Sequence, residues 1–350
     1  MKWELNDRMK QILKFVINEF IDTGEPVGSR TIVKKYNINL SPATIRNIMS
    51  DLEDFGFLYQ PYTSAGRVPT KKGLQYYVDT LVHFQNISEK LKRKIFNAVN
   101  NDELKLTEIC GKISDIISEI TNCVGVVIVP DIKFSTLNHL EFLRLTDSKV
   151  LAIIVNELGQ VQNKIFEVDF KISQEELNKL SNYLNVKFQN KNIIDVKNEI
   201  LKEMDTVKNL FNEKLSKLVE KFYKMDLKDY DLQKDVIIKG LKNFLQSDYF
   251  QKDFENLKKL LSLFEEKNKL IEILDKSIKN PGIQIFIGSQ NKEFENLSIV
   301  TSSYSKNGLT LGSLGVIGPL RMNYNAIIPI VDCAAQIIST ILDENFRRLR

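Results

Sequence analysis

Histidine and cysteine are scarce in this sequence. Its only histidines are His83 and His139, and its only cysteines are Cys110, Cys123 and Cys333. No C-x-x-C pair occurs, which argues against a disulfide framework or a thiolate zinc site. The cysteines sit among apolar neighbours and read as buried thiols. A Ser-His-Asp hydrolase needs one histidine, yet neither lies in a recognisable motif. G-x-G-x-x-G and G-x-x-x-x-G-K-[ST] strings are missing, so the usual nucleotide fingerprints are gone. Long apolar runs are lacking as well. Val124 to Val129 and Ala326 to Ile338 are the longest, and Pro329, Asp332 and Gln336 break the second. Neither reaches the ~20 residues of a membrane helix. Met1 to Phe20 is amphipathic and charged throughout, unlike a secretory signal. The expectation is a cytoplasmic protein with no membrane partner, no catalytic residues, no cofactor and no metal.

Charge of one sign is also in small excess, +4 over 350 residues. With 43% hydrophobic and 27% charged residues, usage is that of globular domains. The length suits two or three of them.

Residues 1–85 are compact and punctuated. Asn6 or Asp7 can cap a helix whose stripe is Met9, Ile12, Leu13, Val16, Ile17 and Phe20. Ser29 can cap a short second helix. Ser41-Pro42 opens a third, with serine at the cap and proline at the first helical position. Ile45, Ile48, Met49 and Leu52 form its buried face, and Gly56 stops it. Phe57 to Gln60 reads as a strand, Pro61 to Gly66 as a loop, and Arg67-Val68-Pro69 as a return strand. Thr70 caps a further helix. This order of elements is that of a winged helix-turn-helix module.

The third helix points to DNA. At 100° per residue, Ala43, Asn47 and Ser50 lie opposite the apolar face, flanked by Thr44 and Arg46. A small, polar stripe beside the Ser41 cap suits a major groove, where Asn pairs with adenine and Arg with guanine. Asp51, Glu53 and Asp54 sit at the far end, which implies entry by the N-terminal end. In the loop, Ser64 and Gly66 are small and Arg67 can reach phosphate or minor groove. Lys71 and Lys72 occupy a first helical turn, where cations are disfavoured unless an anion is near. Arg30 adds charge on the second helix. From Pro26 to Gln75 there are seven bases against three acids. Winged modules also serve in protein interaction, so charge and pattern leave that alternative open.

Beyond this module, residues 86–122 read as helices and a connector. Period-two, β-branched runs follow at Val124 to Val129, Leu137 to Leu145, Val150 to Val155 and Val161 to Val168. Ser173 to Phe188 returns to helix. Residues 191–280 form a lysine- and acid-rich helical block, with stripes such as Val207, Leu210, Phe211, Leu218 and Phe222, and Leu257, Leu260, Leu261 and Phe264. Strands resume at Ile283 to Ile287, Leu297 to Tyr304 and Leu309 to Ile317, with a hairpin signal at Asn307-Gly308. A last helix covers Ala326 to Arg347. The fold class is α+β, and strands flank a helical block. One α+β domain with a helical insertion accounts for this economically; two separate sheets are the rival. Gly312, Gly315 and Gly318 suit either a small-molecule pocket, as in a metabolite-sensing regulator, or close strand packing. His139 and Glu141 share a strand face and Arg144 does not, a weak basis for catalysis.

Two strings resemble the HrcA family of heat-inducible transcription repressors. The first runs through Ser41-Pro-Ala-Thr-Ile-Arg-Asn47, Asp51-Leu-Glu53, Gln60-Pro-Tyr-Thr-Ser-Ala-Gly-Arg-Val-Pro-Thr70, Lys72-Gly73 and Tyr77-Val-Asp79. The second is Leu314-Gly-Val-Ile-Gly-Pro319 with Arg321-Met322 and Tyr324. The resemblance implies a winged helix over 1–85, a connector over 86–122, a GAF-like antiparallel sheet domain in two parts, 123–190 and 281–350, and a helical dimerisation insertion over 191–280. It also implies a homodimer on an inverted-repeat operator upstream of chaperone operons, kept active by the GroE-type chaperonin. Ile48, Tyr62, Gln290, Leu320 and Asn323 depart from the family pattern.

Overall fold

The computed structural model describes residues 5–82, 87–100, 106–129, 136–157, 159–224, 236–242, 264, 267–288 and 295–348. His83, Gln290, Leu257, Leu260 and Leu261 lie outside them.

The N-terminal module is built from α1 (Asp7–Thr23), α2 (Ser29–Tyr36) and α3 (Pro42–Asp54), then β1 (Leu58–Tyr59), β2 (Val68–Pro69) and α4 (Lys71–Tyr76), which runs on through a wider turn, Tyr77–Leu81. Local chemistry sets the ends. Asn6 caps α1 by accepting from Met9 N–H, Ser41 caps α3 through Thr44 N–H, and Thr70 caps α4 through Gly73 N–H. Each such cap contributes about 1 kcal/mol. Ser29 does not cap α2; that position falls to Gly28, which has no side chain to offer. Ile12, Leu13, Val16, Ile17, Ile32, Ile45, Met49 and Leu52 close the core. Ile48, expected among them, is half-buried against it.

A second unit is a five-stranded antiparallel sheet in the order β7 (Val236–Lys239), β3 (Val124–Ile128), β10 (Leu309–Pro319), β9 (Leu297–Lys306), β8 (Ile283–Ile287). Alternation along the strands sorts its two faces. Val127, Val300, Leu314 and Val316 face α6 (Leu106–Thr121) and α12 (Tyr324–Arg348). Val124, Val126, Ile128, Ile299 and Ile317 face α11 (Lys267–Lys279). The helix α5 (Glu89–Val99) packs on α6 and α12. Thus α6, read from the sequence as connector, is a core helix of this unit. Gly125 permits its approach: a Cβ there would lie 2.3 Å from the Ser114 carbonyl oxygen. The stretch Tyr324–Asp343 of α12 is apolar and long enough to cross a membrane by composition, but Ile328, Val331, Ala334 and Ile338 are buried beneath the sheet.

The strands β4 (Leu137–Thr146), β5 (Lys149–Asn156) and β6 (Val161–Glu167) form a separate sheet. One face carries Leu140, Phe142, Ala152, Ile154 and Phe166, buried with α7 (Gln174–Phe188), α8 (Ile193–Ile200), α9 (Met204–Leu210) and α10 (Glu213–Lys224). The strands therefore make two sheets, not one. A boundary at residue 190 falls inside this core, which runs from Leu137 to Val219. The block 191–280 is not purely helical, because β7 lies in it and pairs with β3, Ile238 opposite Val126. Lys306 and Glu157, 2.9 Å apart and largely buried, join the two sheet units.

Candidate nucleic-acid interface

The residues of α3 that face away from the core are open. Ala43, Thr44, Arg46, Asn47 and Ser50 are all exposed, while Ile45, Met49 and Leu52 beneath them are buried. Arg46 and Asn47 hold no ion pair or side-chain hydrogen bond among the described residues. Ser41 is exposed too, but its hydroxyl is engaged with Thr44 N–H at 3.0 Å and the Thr44 hydroxyl at 2.9 Å. Its part is to end the helix cleanly. Arg30, exposed near the start of α2, is also unpaired among the described residues.

The wing is braced from within. Val27 and Arg67 exchange two backbone hydrogen bonds of 2.9 Å, adding a short third strand to β1 and β2. Gly66 serves that bridge: a Cβ there would lie 2.4 Å from the Val27 carbonyl carbon and oxygen. Gln60 shapes the tip, its side-chain amide donating to the carbonyls of Thr63 and Ala65 at 2.9 and 3.0 Å. Ser64 stands exposed at that tip, beside Tyr62, which is 63% exposed.

Three cations expected at phosphates have partners inside the protein. The Arg67 side chain is 17% exposed, and its Nε lies 2.7 Å from Glu53 Oε2. Glu53 also accepts from Gln60 N–H at 3.0 Å, so one carboxylate ties the wing to the end of α3. Lys71 Nζ pairs with Glu295 at 2.8 Å, across to the five-stranded sheet unit. Lys72 Nζ donates to the Phe55 carbonyl at 2.6 Å and lies 4.4 Å from the centre of the Phe57 ring. The groups that make cations tolerable at the start of α4 are thus the Glu295 carboxylate and the carbonyl of Phe55 at the end of α3. Glu53 and Gln60 were not among the sequence candidates; Glu53 lies near the end of α3 and Gln60 just after β1, and their contact forms only where the wing folds back.

Other sequence candidates resolve as packing. Cβ atoms at Gly312, Gly315 and Gly318 would lie 2.2 to 2.4 Å from the Tyr304 hydroxyl, the Val300 carbonyl oxygen and Met322 Sδ. Their space is therefore filled by the protein itself. Burial pushes the Cys110 and Cys123 thiols up to about 12. His139 Nε2 and Glu141 Oε2 stand 4.0 Å apart, with much of both side chains exposed, on the outer face of the three-stranded sheet.

A three-helix unit with a β wing, followed by helix-covered antiparallel sheets, defines the winged-helix class of α+β proteins. A crystal structure described as that of a hypothetical protein shares the fold, with a TM-score of 0.64 at 20% identity over 98% of this chain and 100% of that one. The family model described as HrcA protein C terminal domain matches residues 107–328. The heat-inducible transcription repressor HrcA of Syntrophobacter fumaroxidans is 37% identical over 347 residues, covering 97% of this chain and 98% of that protein. That of Geobacter sulfurreducens is 38% identical over 342 residues, covering 97% and 99%. The chain belongs to the HrcA family of heat-inducible transcription repressors.

Proposed function

We propose that this repressor acts as a cytoplasmic homodimer that reads an inverted-repeat operator in double-stranded DNA upstream of chaperone genes, without catalytic activity. One observation carries the reading: α3 presents Ala43, Thr44, Arg46, Asn47 and Ser50 outward with no covering element among the described residues. Small residues let the helix descend into the major groove, and Arg46 and Asn47 then reach base edges. Arg30 and Ser64 flank it at the backbone. Ser41, Gly66, Arg67, Lys71 and Lys72 hold the reading surface in shape.

Pairing of two chains has its own support. The outer face of the three-stranded sheet carries Leu143, Leu151, Ile153, Val155, Val161 and Ile165, with Val161 60% and Ile165 54% exposed. Contiguous apolar surface of this kind marks an interaction site. In this reading the unit around β4–β6 and α7–α10 is the dimerising insertion, and the five-stranded sheet unit is the GAF-like domain. Two recognition helices related by a two-fold axis would then address half-sites about 34–36 Å apart, or a multiple of that. The family resemblance adds the GroE-type chaperonin as the partner that keeps the repressor active.

The test is a titration of the purified protein against an inverted repeat selected from random duplexes and against a scrambled duplex, with and without chaperonin. The expected result is salt-sensitive preference for the repeat, strengthened by chaperonin. Equal affinity for both duplexes overturns the reading, and indifference to chaperonin removes that partner.

A further inference from the structure

The second string of the sequence, Leu314 to Tyr324, makes no part of the DNA-facing surface. It lies in β10 and the turn before α12, and the winged helix rests on it. Tyr77 is buried, and its hydroxyl donates to Asn18 Oδ1 of α1 at 2.6 Å while accepting from Asn325 Nδ2 of α12 at 3.0 Å. Arg321 lays its guanidinium against Gly24, where a Cβ would meet Nη1 at 2.3 Å. Gly24 ends α1 in a left-handed conformation, φ 75°, and the last turn of α1 has no base of its own. Arg321 thus sets a cation at the negative end of that helix. The third point is the ion pair of Lys71 with Glu295, beside Gly288, where a Cβ would lie 2.7 Å from Lys71 Cδ.

The seat is itself stiff. The space at Gly318 is filled by Met322 and Cys123. The Tyr324 hydroxyl donates to the Leu320 carbonyl at 2.7 Å and accepts from Ser298 at 2.7 Å. Beneath these contacts one apolar cluster runs without a break from Ile17 and Leu52 through Tyr77 and Val78 to Tyr324 and Ile328. Contacts on both α1 and α4 resist rotation about either helix axis. The direction in which α3 points is therefore set by the sheet unit, not by a free linker.

We propose that the run Leu314 to Asn325, with Glu295, is a docking seat that fixes the orientation of the winged helix and so selects the half-site spacing a dimer accepts. This rests on the DNA-binding reading above. Asn325, Arg321 and Glu295 are positioning residues, acting on DNA only through the module they hold.

The experiment compares full-length wild type with Glu295→Lys, Asn325→Ala and the charge swap Lys71→Glu/Glu295→Lys. Each is titrated on the selected operator and on versions whose central spacer is lengthened by three base pairs. Hydrogen exchange at Phe20–Gly24 and Leu320–Asn325 is followed without DNA. The single variants are expected to lose about tenfold on the native spacing, and to discriminate against the longer spacer less than wild type does. Their exchange should rise in both segments. The charge swap should recover both properties, which a DNA-contacting Lys71 would not allow. Wild-type spacing preference in both single variants, or no recovery in the swap, overturns the proposal. If wild type shows no preference for inverted repeats, the DNA reading and the spacing claim fail together. Exchange alone then judges the seat, and unchanged exchange in the variants overturns it.

Discussion

The starts of α3 and α4 are chemically alike, yet they do opposite things. Each is capped by a hydroxyl residue, Ser41 or Thr70, and each carries base within its first turns, Arg46 or Lys71 and Lys72. In α3 the base stands open beside Asn47. In α4 one lysine reaches Glu295 and the other the Phe55 carbonyl. The wing repeats the lesson, since Arg67 is turned onto Glu53. Lys35, a further base of the same region, pairs with Glu19 at 2.6 Å and Asp22 at 3.3 Å. Counting bases against acids along the chain overstates the charge available to a phosphate backbone. Of the bases from Pro26 to Gln75, those without a partner among the described residues are Arg30, Lys34 and Arg46.

The sharpest way to break this contrast is to truncate one base on each helix. Arg46→Ala or Asn47→Ala should lower operator affinity by about 10- to 100-fold, the value of a bidentate base contact. Thermal midpoints should not move. Lys72→Ala should stay within about twofold in fluorescence anisotropy, because its partner is a carbonyl of the same module and an exposed contact of this kind is weak. Equal losses at Arg46 and Lys72 would erase the distinction. The wing offers the next largest effect. Gly66→Ala forces a Cβ into the Val27 backbone and should cost about 1–3 kcal/mol in denaturant unfolding, as overpacking does. A smaller loss, about 1 kcal/mol, is expected for Ser41→Ala, which removes the α3 cap. The salt dependence gives the finest measurement. Arg30→Ala should flatten the slope of log K against log salt by about 0.9, one phosphate contact, while Arg67→Gln should leave it unchanged. A shallower slope for Arg67→Gln would return that guanidinium to the DNA.

Much of the fold was legible because it is local. Ser173, for example, caps α7 with a full capping box in which Glu176 returns to the Ser173 N–H. The apolar alternation of β4, β5 and β6 marked those strands to within a residue or two. The strand β7 was hidden, although Val236-Ile237-Ile238 before Gly240 carries a β-branched signature. Its charged helical surroundings masked it, and its partner β3 lies more than a hundred residues earlier. The split into two sheets was illegible for the same reason: a strand's pattern says that it pairs, not with which neighbour. At the candidate site, the outward stripe of α3 followed from helical periodicity alone. The bracing by Glu53 and Gln60 did not, because it depends on how a loop folds back.

Sequence by itself determined the winged-helix order, the caps of α3 and α4, most of the buried stripes and the identity of the exposed face of α3, since these depend on residues within a few positions of one another. Only the tertiary structure decided which cations face outward, which strands share a sheet and what the C-terminal run supports. The reason is distance along the chain: Lys71 and Glu295 are 224 positions apart, and Tyr77 and Asn325 are 248. No local pattern encodes a partner that arrives only when the chain has folded.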